Sequence, residues 1–340
     1  MESLNSDNNK RFILFEHFKR NKLKRINPKK TNVYKYMIYT FFIFIFFLQI
    51  DLNKSIQEKK INYYFKKFNS NEITLKIKGK GEQRILNAEY KKCPNFIYLN
   101  NGTTNILGTD CHLVNIPEEN DEINIIKLIW SEQVDTFYSM FSNLEDNLIE
   151  VDLSNFDSSN VTNMFGMFFN CYSLESINFL NVDTSKVKSM RCMFADNYAL
   201  KNLDLSSFDT SSVFDMVGMF YNCTNLTSLV ITNFNTKNVY LMSSMFEGCI
   251  SLALLDITNF NTDNVYYMNS MFQNCINLTS LDLTHFNTSN VGSMDNMFQN
   301  CQKLLSLDLS NFRTPKLVSM ESMFSECLSL TSLDVSHFDT

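Results

Sequence analysis

Glycine and proline are scarce in this chain, which holds 8 Gly, 4 Pro and a single Trp in 340 residues. Collagen-like and Pro/Gly-rich low-complexity architectures are thereby excluded. The glycine-rich loops that cradle phosphates and dinucleotides are missing as well. Histidine is sparse and scattered (His17, His112, His285, His337), with no Ser/His/Asp or Cys/His arrangement, so the sequence predicts no enzyme and no cofactor. The cysteines show no C-x2-4-C spacing of the kind that supplies paired zinc ligands. Basic charge is short where nucleic acid would need it. Residues 148–340 carry 8 Lys/Arg against 19 Asp/Glu, which excludes a phosphate-neutralising surface and hence a nucleic-acid partner.

What is present is uneven. Residues 1–36 carry ten Lys/Arg against three Asp/Glu and read as a basic cytoplasmic tail. Residues 37–50, "MIYTFFIFIFFLQI", have no charge and six aromatic rings. Fourteen residues are fewer than the roughly 17–25 a bilayer-crossing helix uses, but counting back to Val33 with Lys35 snorkelling lengthens the run. The segment is expected to be a transmembrane signal-anchor, or else a cleaved signal peptide. A basic flank keeps the N-terminus cytoplasmic and places the remainder outside a single-pass cell membrane; cleavage would make the protein secreted.

From residue 134 the chain is a tandem array. Met-Phe recurs at Met140–Phe141, Met167–Phe168, Met193–Phe194, Met219–Phe220 and so on to Met323–Phe324; the first interval is 27 residues and all later ones 26. Such periodicity signals a repeat architecture. The first half of each unit reads L-x-x-L-x-L-x-x-F, as in Leu200, Leu203, Leu205 and Phe208, and predicts a short strand near 151–153, 177–179, 203–205 and every 26 residues after. The second half reads V-x-x-M-x-x-M-F-x-x-C, as in Val239, Met242, Met245, Phe246 and Cys249. Those offsets fit an apolar stripe on a helix. A Thr column (Thr184, Thr210, Thr236, Thr262, Thr288, Thr314), followed once by Pro315, fits the N-cap and first helical position.

The unit "LTSLDLTHFNTSNVGSMDNMFQNC" resembles the repeat of BspA-like leucine-rich-repeat surface proteins, over about residues 134–340. The resemblance implies an α/β, right-handed leucine-rich-repeat solenoid with parallel strands on one face and short helices on the other. It also implies a cell-surface setting and a role in adhesion, through protein or glycan binding. A passive coat protein without a specific ligand is the alternative. Two departures stand out: the Cys column holds Asn197 in the third copy, and the chain stops at Thr340 before that unit's helix, as a fragment would.

Between membrane and array, residues 51–71 read as a stalk and 72–133 as a small β-rich capping module. Cys93 and Cys111 are candidates for a disulfide there if the segment is extracellular. One Cys per coil elsewhere reads as a small core thiol. The Asp column (Asp152, Asp204, Asp256, Asp282, Asp308, Asp334) is expected to point outward on a concave face, its carboxylates held by neighbouring hydroxyls. Asp256, Asp282 and Asp308 form a weak candidate cation site. Sequons at Asn101, Asn160, Asn222, Asn225, Asn277 and Asn287, with Asn53 before them, are candidate N-glycosylation acceptors.

Overall fold

The computed structural model describes residues 71–100, 110–118 and 122–339, all within one compact unit, Lys66–Thr340. The basic tail, the apolar segment 37–50, most of the stalk, Asn53 and Asn101 lie outside the described residues.

The first five strands are β1 (Asn71–Lys78), β2 (Gly81–Arg84), β3 (Phe96–Leu99), β4 (Leu113–Ile116) and β5 (Ile123–Trp130). In β1, Ile73, Leu75 and Ile77 are fully buried and alternate with Thr74, Lys76 and Lys78, the pattern of a strand with one core face. The repeats supply β6 (Leu148–Asn155), β7 (Ser176–Asn178), β8 (Asn202–Asp204) and β9 (Ser228–Val230). One sheet runs in the order β3-β5-β1-β6-β7, and β2-β4 and β8-β9 form two-stranded sheets. β1 lies antiparallel to both β5 and β6, whereas β6 pairs parallel with β7. β6 is therefore the place where an antiparallel N-terminal module gives way to parallel stacking. β1 also satisfies the backbone edge that the first coil would otherwise present.

Successive coils stack in register on interior ladders. Phe141, Phe168, Phe194, Phe220, Phe246, Phe272, Phe298 and Phe324 stack face to face, with centroids 5.5–5.8 Å apart and planes within 12°. The Met columns beside them (Met164, Met190, Met216, Met242, Met268, Met294) are fully buried. Each buried Phe contributes about 1.5–3 kcal/mol of apolar transfer, and stacking adds about 0.5–1.5 kcal/mol per pair.

The second half of the repeat is where the structure departs from expectation. No helix occurs among the described residues. The segment is instead a run of turns, shown by residues 236–252. Val239 N–H donates to Thr236 O at 2.9 Å, Met245 to Met242 O at 3.3 Å, Cys249 to Phe246 O at 3.1 Å and Leu252 to Cys249 O at 3.2 Å. Alternate amides reach the next coil: Met242 to Tyr267 O (3.1 Å), Ser244 to Asn269 O (2.9 Å), Phe246 to Met271 O (2.9 Å) and Gly248 to Gln273 O (2.8 Å). Two columns of left-handed residues break every nascent helical turn. One contains Gly166, Cys192, Gly218, Ser244, Ser270, Asn296 and Ser322, and the other Asn170, Asp196, Asn222, Gly248, Asn274, Asn300 and Glu326. These columns are mostly Gly, Asn, Asp and Ser, which leave a helix readily; Gly, Asn and Asp also tolerate φ above zero.

The expected right-handed α/β leucine-rich-repeat solenoid with a helical face is thus corrected to small mixed sheets continued by parallel turn ladders. The Thr column caps no helix. Thr262 Oγ1 donates to Asn287 O at 3.0 Å and accepts from Asn287 N–H at 2.8 Å, and Thr184, Thr210, Thr236 and Thr288 do the same one coil on. Each buried hydroxyl stands in for a backbone ladder pair. Strand pairing also ends earlier than expected, since no described residue after Val230 lies in a strand. A lone bond such as Thr279 N–H to Ala253 O, 3.2 Å, remains on that side of the coil.

The membrane expectation is corrected too. No helix among the described residues is long and apolar enough to cross a membrane, and residues 37–50 lie outside them. A transmembrane signal-anchor and a single-pass location are not carried further.

Thr262→Val keeps the shape of the side chain but orphans the N–H and C=O of Asn287. We predict a loss of about 1–3 kcal/mol in denaturant unfolding, with Thr262→Ser close to neutral. An unchanged midpoint for Thr262→Val would contradict the staple.

Candidate functional site

The Asp column is self-satisfied and, apart from the half-buried Asp152, exposed. Each carboxylate accepts the N–H two residues ahead: Ser154 to Asp152, Ser206 to Asp204, Thr258 to Asp256, Thr284 to Asp282, Ser310 to Asp308 and Ser336 to Asp334, all at 2.8–3.1 Å. Thr258 and Thr284 add hydroxyl donors at 2.7 Å. Hydroxyl donation, followed by the backbone N–H, holds Asp204, Asp256, Asp282, Asp308 and Asp334 below the usual carboxylate range. These are Asx turns that shape the loop after the L-x-L segment of each coil. Asp256, Asp282 and Asp308 are not brought into a grouping that could hold a metal ion; among the described residues that grouping is Cys93, Cys111 and His112. Cys93 and Cys111 are joined in a disulfide with a Cα–Cα distance of 5.8 Å.

The remaining seven cysteines are free. In the repeat column each thiol donates to the carbonyl of the Phe in the coil before. Cys171 reaches Phe141 O (3.0 Å), Cys223 Phe194 O (3.1 Å), Cys249 Phe220 O (3.2 Å), Cys275 Phe246 O (3.1 Å), Cys301 Phe272 O (3.1 Å) and Cys327 Phe298 O (3.0 Å). Burial pushes the Cys223 and Cys275 thiols up to about 12, so they are poor nucleophiles. Asn197 takes the place of the thiol in the third copy. Its Nδ2 reaches Phe168 O at 2.8 Å, but its buried Oδ1 has no partner.

The sequon asparagines serve the stack. Nδ2 of Asn225 donates to Tyr198 O (2.7 Å), Asn277 to Ile250 O (2.8 Å), Asn222 to Asp196 (3.0 Å), Asn287 to Asp263 (2.8 Å) and Asn160 to Gln133. Asparagine abundance is therefore explained by inter-coil bonding, with Asn101 outside the described residues.

One face is not self-satisfied. The residue after each Val, or Leu317 in the last of these coils, reads Thr162, Lys188, Phe214, Tyr240, Tyr266, Gly292 and Val318, and its neighbour Asn163, Ser189, Asp215, Leu241, Tyr267, Ser293 and Ser319. The second of these columns is bridged parallel from coil to coil over its whole length. Phe214, Tyr240, Tyr266 and Tyr267 are 42%, 42%, 46% and 50% exposed, in three consecutive coils. Tyr240 and Tyr266 stack at 6.1 Å. Lys188 and Arg191 belong to the coil before this cluster, and Asp295 and Glu321 to the two coils after it. Asp215 is nearly buried beneath it, 4.0 Å from the Arg191 guanidinium, and desolvation raises its pKa. The sequence reading missed this face because it followed the residues that recur. The signal is the opposite one: columns that change from copy to copy inside a fixed frame.

A family model described as "Mycoplasma protein of unknown function, DUF285" matches residues 134–230 and 227–338, more than half of the chain. The chain belongs to the DUF285 family. Its matched region begins at Val134, just before the first Met-Phe pair, so the strands β1 to β5 stand outside the DUF285 match. No curated protein matches the sequence.

Within the DUF285 coils, Asn197→Cys restores the thiol column and removes the orphaned Oδ1. We predict a gain of about 1–3 kcal/mol, read from the denaturation midpoint. A loss of stability would show that the amide is needed.

Proposed function

We propose that the DUF285 stack is a non-catalytic recognition module of the BspA-like kind, presenting the Phe214–Tyr240–Tyr266–Tyr267 face to a protein partner. The observation that carries this reading is that aromatic cluster, raised on three adjacent rungs while the Phe, Met and Cys ladders turn inward. Tyr and Phe supply large contact area at low entropic cost, and Tyr adds a hydroxyl for hydrogen bonding. Aromatic centres rimmed by charge match the anatomy of interface hot spots. Stacking of Tyr240 on Tyr266 leaves mainly ring edges and hydroxyls outward, which suits a protein better than a glycan that stacks on an open ring face. The acidic balance of residues 148–340 speaks against nucleic acid as the partner.

The test is a binding screen on protein and glycan arrays with residues 71–340, alongside the triple variant Tyr240→Ser/Tyr266→Ser/Tyr267→Ser. Retained protein ligands should weaken by about 30-fold or more in the variant, as hot-spot loss does, while the melting temperature changes little. A glycan as the sole ligand would overturn the choice of partner. No ligand, or one that ignores the variant, would favour a passive structural role.

A further inference from the structure

Outside the DUF285 coils, the fold brings Cys93 together with the consecutive residues Asp110, Cys111 and His112. Cys93 lies just before β3, and Asp110, Cys111 and His112 lie just before β4. The backbone there is fixed: Ile85 N–H donates to His112 O at 2.8 Å, and β2 pairs with β4 from Arg84–Leu113 onward. Tyr90, buried opposite, is anchored by its hydroxyl on Thr136 O at 3.1 Å. The sulfurs of Cys93 and Cys111 and a ring nitrogen of His112 lie within 4.8 Å of one another.

We propose that this cluster is a redox-gated site for a zinc-class divalent cation, closed while Cys93 and Cys111 are joined and opened when a dithiol reduces them. His112 Nε2 is 3.7 Å from Cys111 Sγ. A tetrahedral ion with Zn–S of about 2.3 Å and Zn–N of about 2.0–2.1 Å sets its S and N ligands about 3.6 Å apart. Nε2 stands at that edge length, and Nδ1, 3.8 Å from the same sulfur, is taken up by Asp110. Nδ1 is 2.5 Å from Asp110 Oδ1, and the His112 N–H also donates to that oxygen at 2.8 Å. A carboxylate on the far nitrogen is the usual arrangement that fixes the tautomer and aims Nε2 at a metal. In the oxidised form Nε2 rests instead on Tyr90 O at 2.8 Å, a contact it gives up on binding.

The chemistry balances. A low-molecular-weight dithiol delivers two electrons and two protons to the Cys93–Cys111 bond and itself becomes a cyclic disulfide. The cation then displaces the two thiol protons and the Nε2 proton that rested on Tyr90 O, all passing to solvent, and binds both thiolates and Nε2, with Nδ1–H kept on Asp110. The fourth position is left to solvent. Soft thiolates with imidazole select zinc over calcium or magnesium.

Cobalt(II) serves as the probe, because thiolate coordination gives it a charge-transfer absorption. The reduced full chain is titrated with Co²⁺ and then with competing Zn²⁺. One equivalent should bind to the reduced protein and none to the oxidised one. The band should vanish in Cys111→Ser and His112→Ala, and Asp110→Asn should weaken affinity about 10–100-fold. The five thiols Cys171, Cys223, Cys249, Cys275 and Cys301 are buried and should contribute nothing. Should His112→Ala misfold by circular dichroism, Asp110→Asn decides, because that side chain is 49% exposed. A reduced protein without the band, a band that survives Cys111→Ser, or full affinity in a folded Asp110→Asn would each overturn the site. None of these outcomes bears on the aromatic face, whose test uses none of these variants.

Discussion

The structure depends on hydrogen bonds that run from one coil to the next through a segment with no regular secondary structure. Backbone donors and acceptors cannot be buried unpaired without a cost of about 1–3 kcal/mol each. A helix would satisfy them within the coil. Here the left-handed residues, such as Ser244 and Gly248, rotate alternate amides outward along the stack, and the following coil supplies the carbonyls. Side chains complete what the backbone leaves open. Thr hydroxyls bridge forward, Cys thiols bridge back to Phe carbonyls, and Asn amides bridge back along the surface. Three residue types that look chemically reactive, or open to modification, are used as connectors.

This division of labour separates framework from face. Phe and Met recur because each must meet its own copy in the next coil, and Thr and Cys because each must reach a backbone group of a neighbouring coil, where any other shape leaves a gap or an orphaned group. The positions beside the bridges carry no such duty. They vary from Lys188 through Phe214 and Tyr266 to Val318, and the exposed aromatic cluster arises there. Recognition on such a stack requires only side chains on a rigid ladder. The N-terminal strands add a different chemistry on the opposite side of β6, where a disulfide and a histidine meet outside the repeat.

Much of this was legible in the sequence, and the errors have physical causes. The 26-residue stride and the inward ladders follow from Met-Phe spacing alone, and parallel stacking follows from repetition. The helix did not follow. Offsets of 0, 3, 6, 7 and 10 lie within one face of an α-helix, but they equally describe consecutive turns closed by i to i+3 bonds, as at Val239, Met245 and Cys249. Thr before Pro315 fits the first two positions of a β-turn as well as an N-cap. The deciding signal was composition between the apolar positions, where Asn, Gly, Ser and Asp recur at sites a helix disfavours. The aromatic face escaped because repetition drew attention to the columns that do not change. The cluster at the Cys93–Cys111 disulfide was half legible: that pairing was expected, but the placing of the His112 ring between Asp110 and Tyr90 is fixed only by the fold.

The central claim is that the turn segments bond between coils rather than along a helix. Through-hydrogen-bond couplings in the NMR spectrum of isotope-labelled protein report the donor and acceptor of each bond directly. The account predicts that the Phe246 amide nitrogen couples to the Met271 carbonyl carbon, and Ser244 to Asn269. Coupling of Phe246 to the carbonyl of Met242, four residues before it, would mean a helix and would contradict the account.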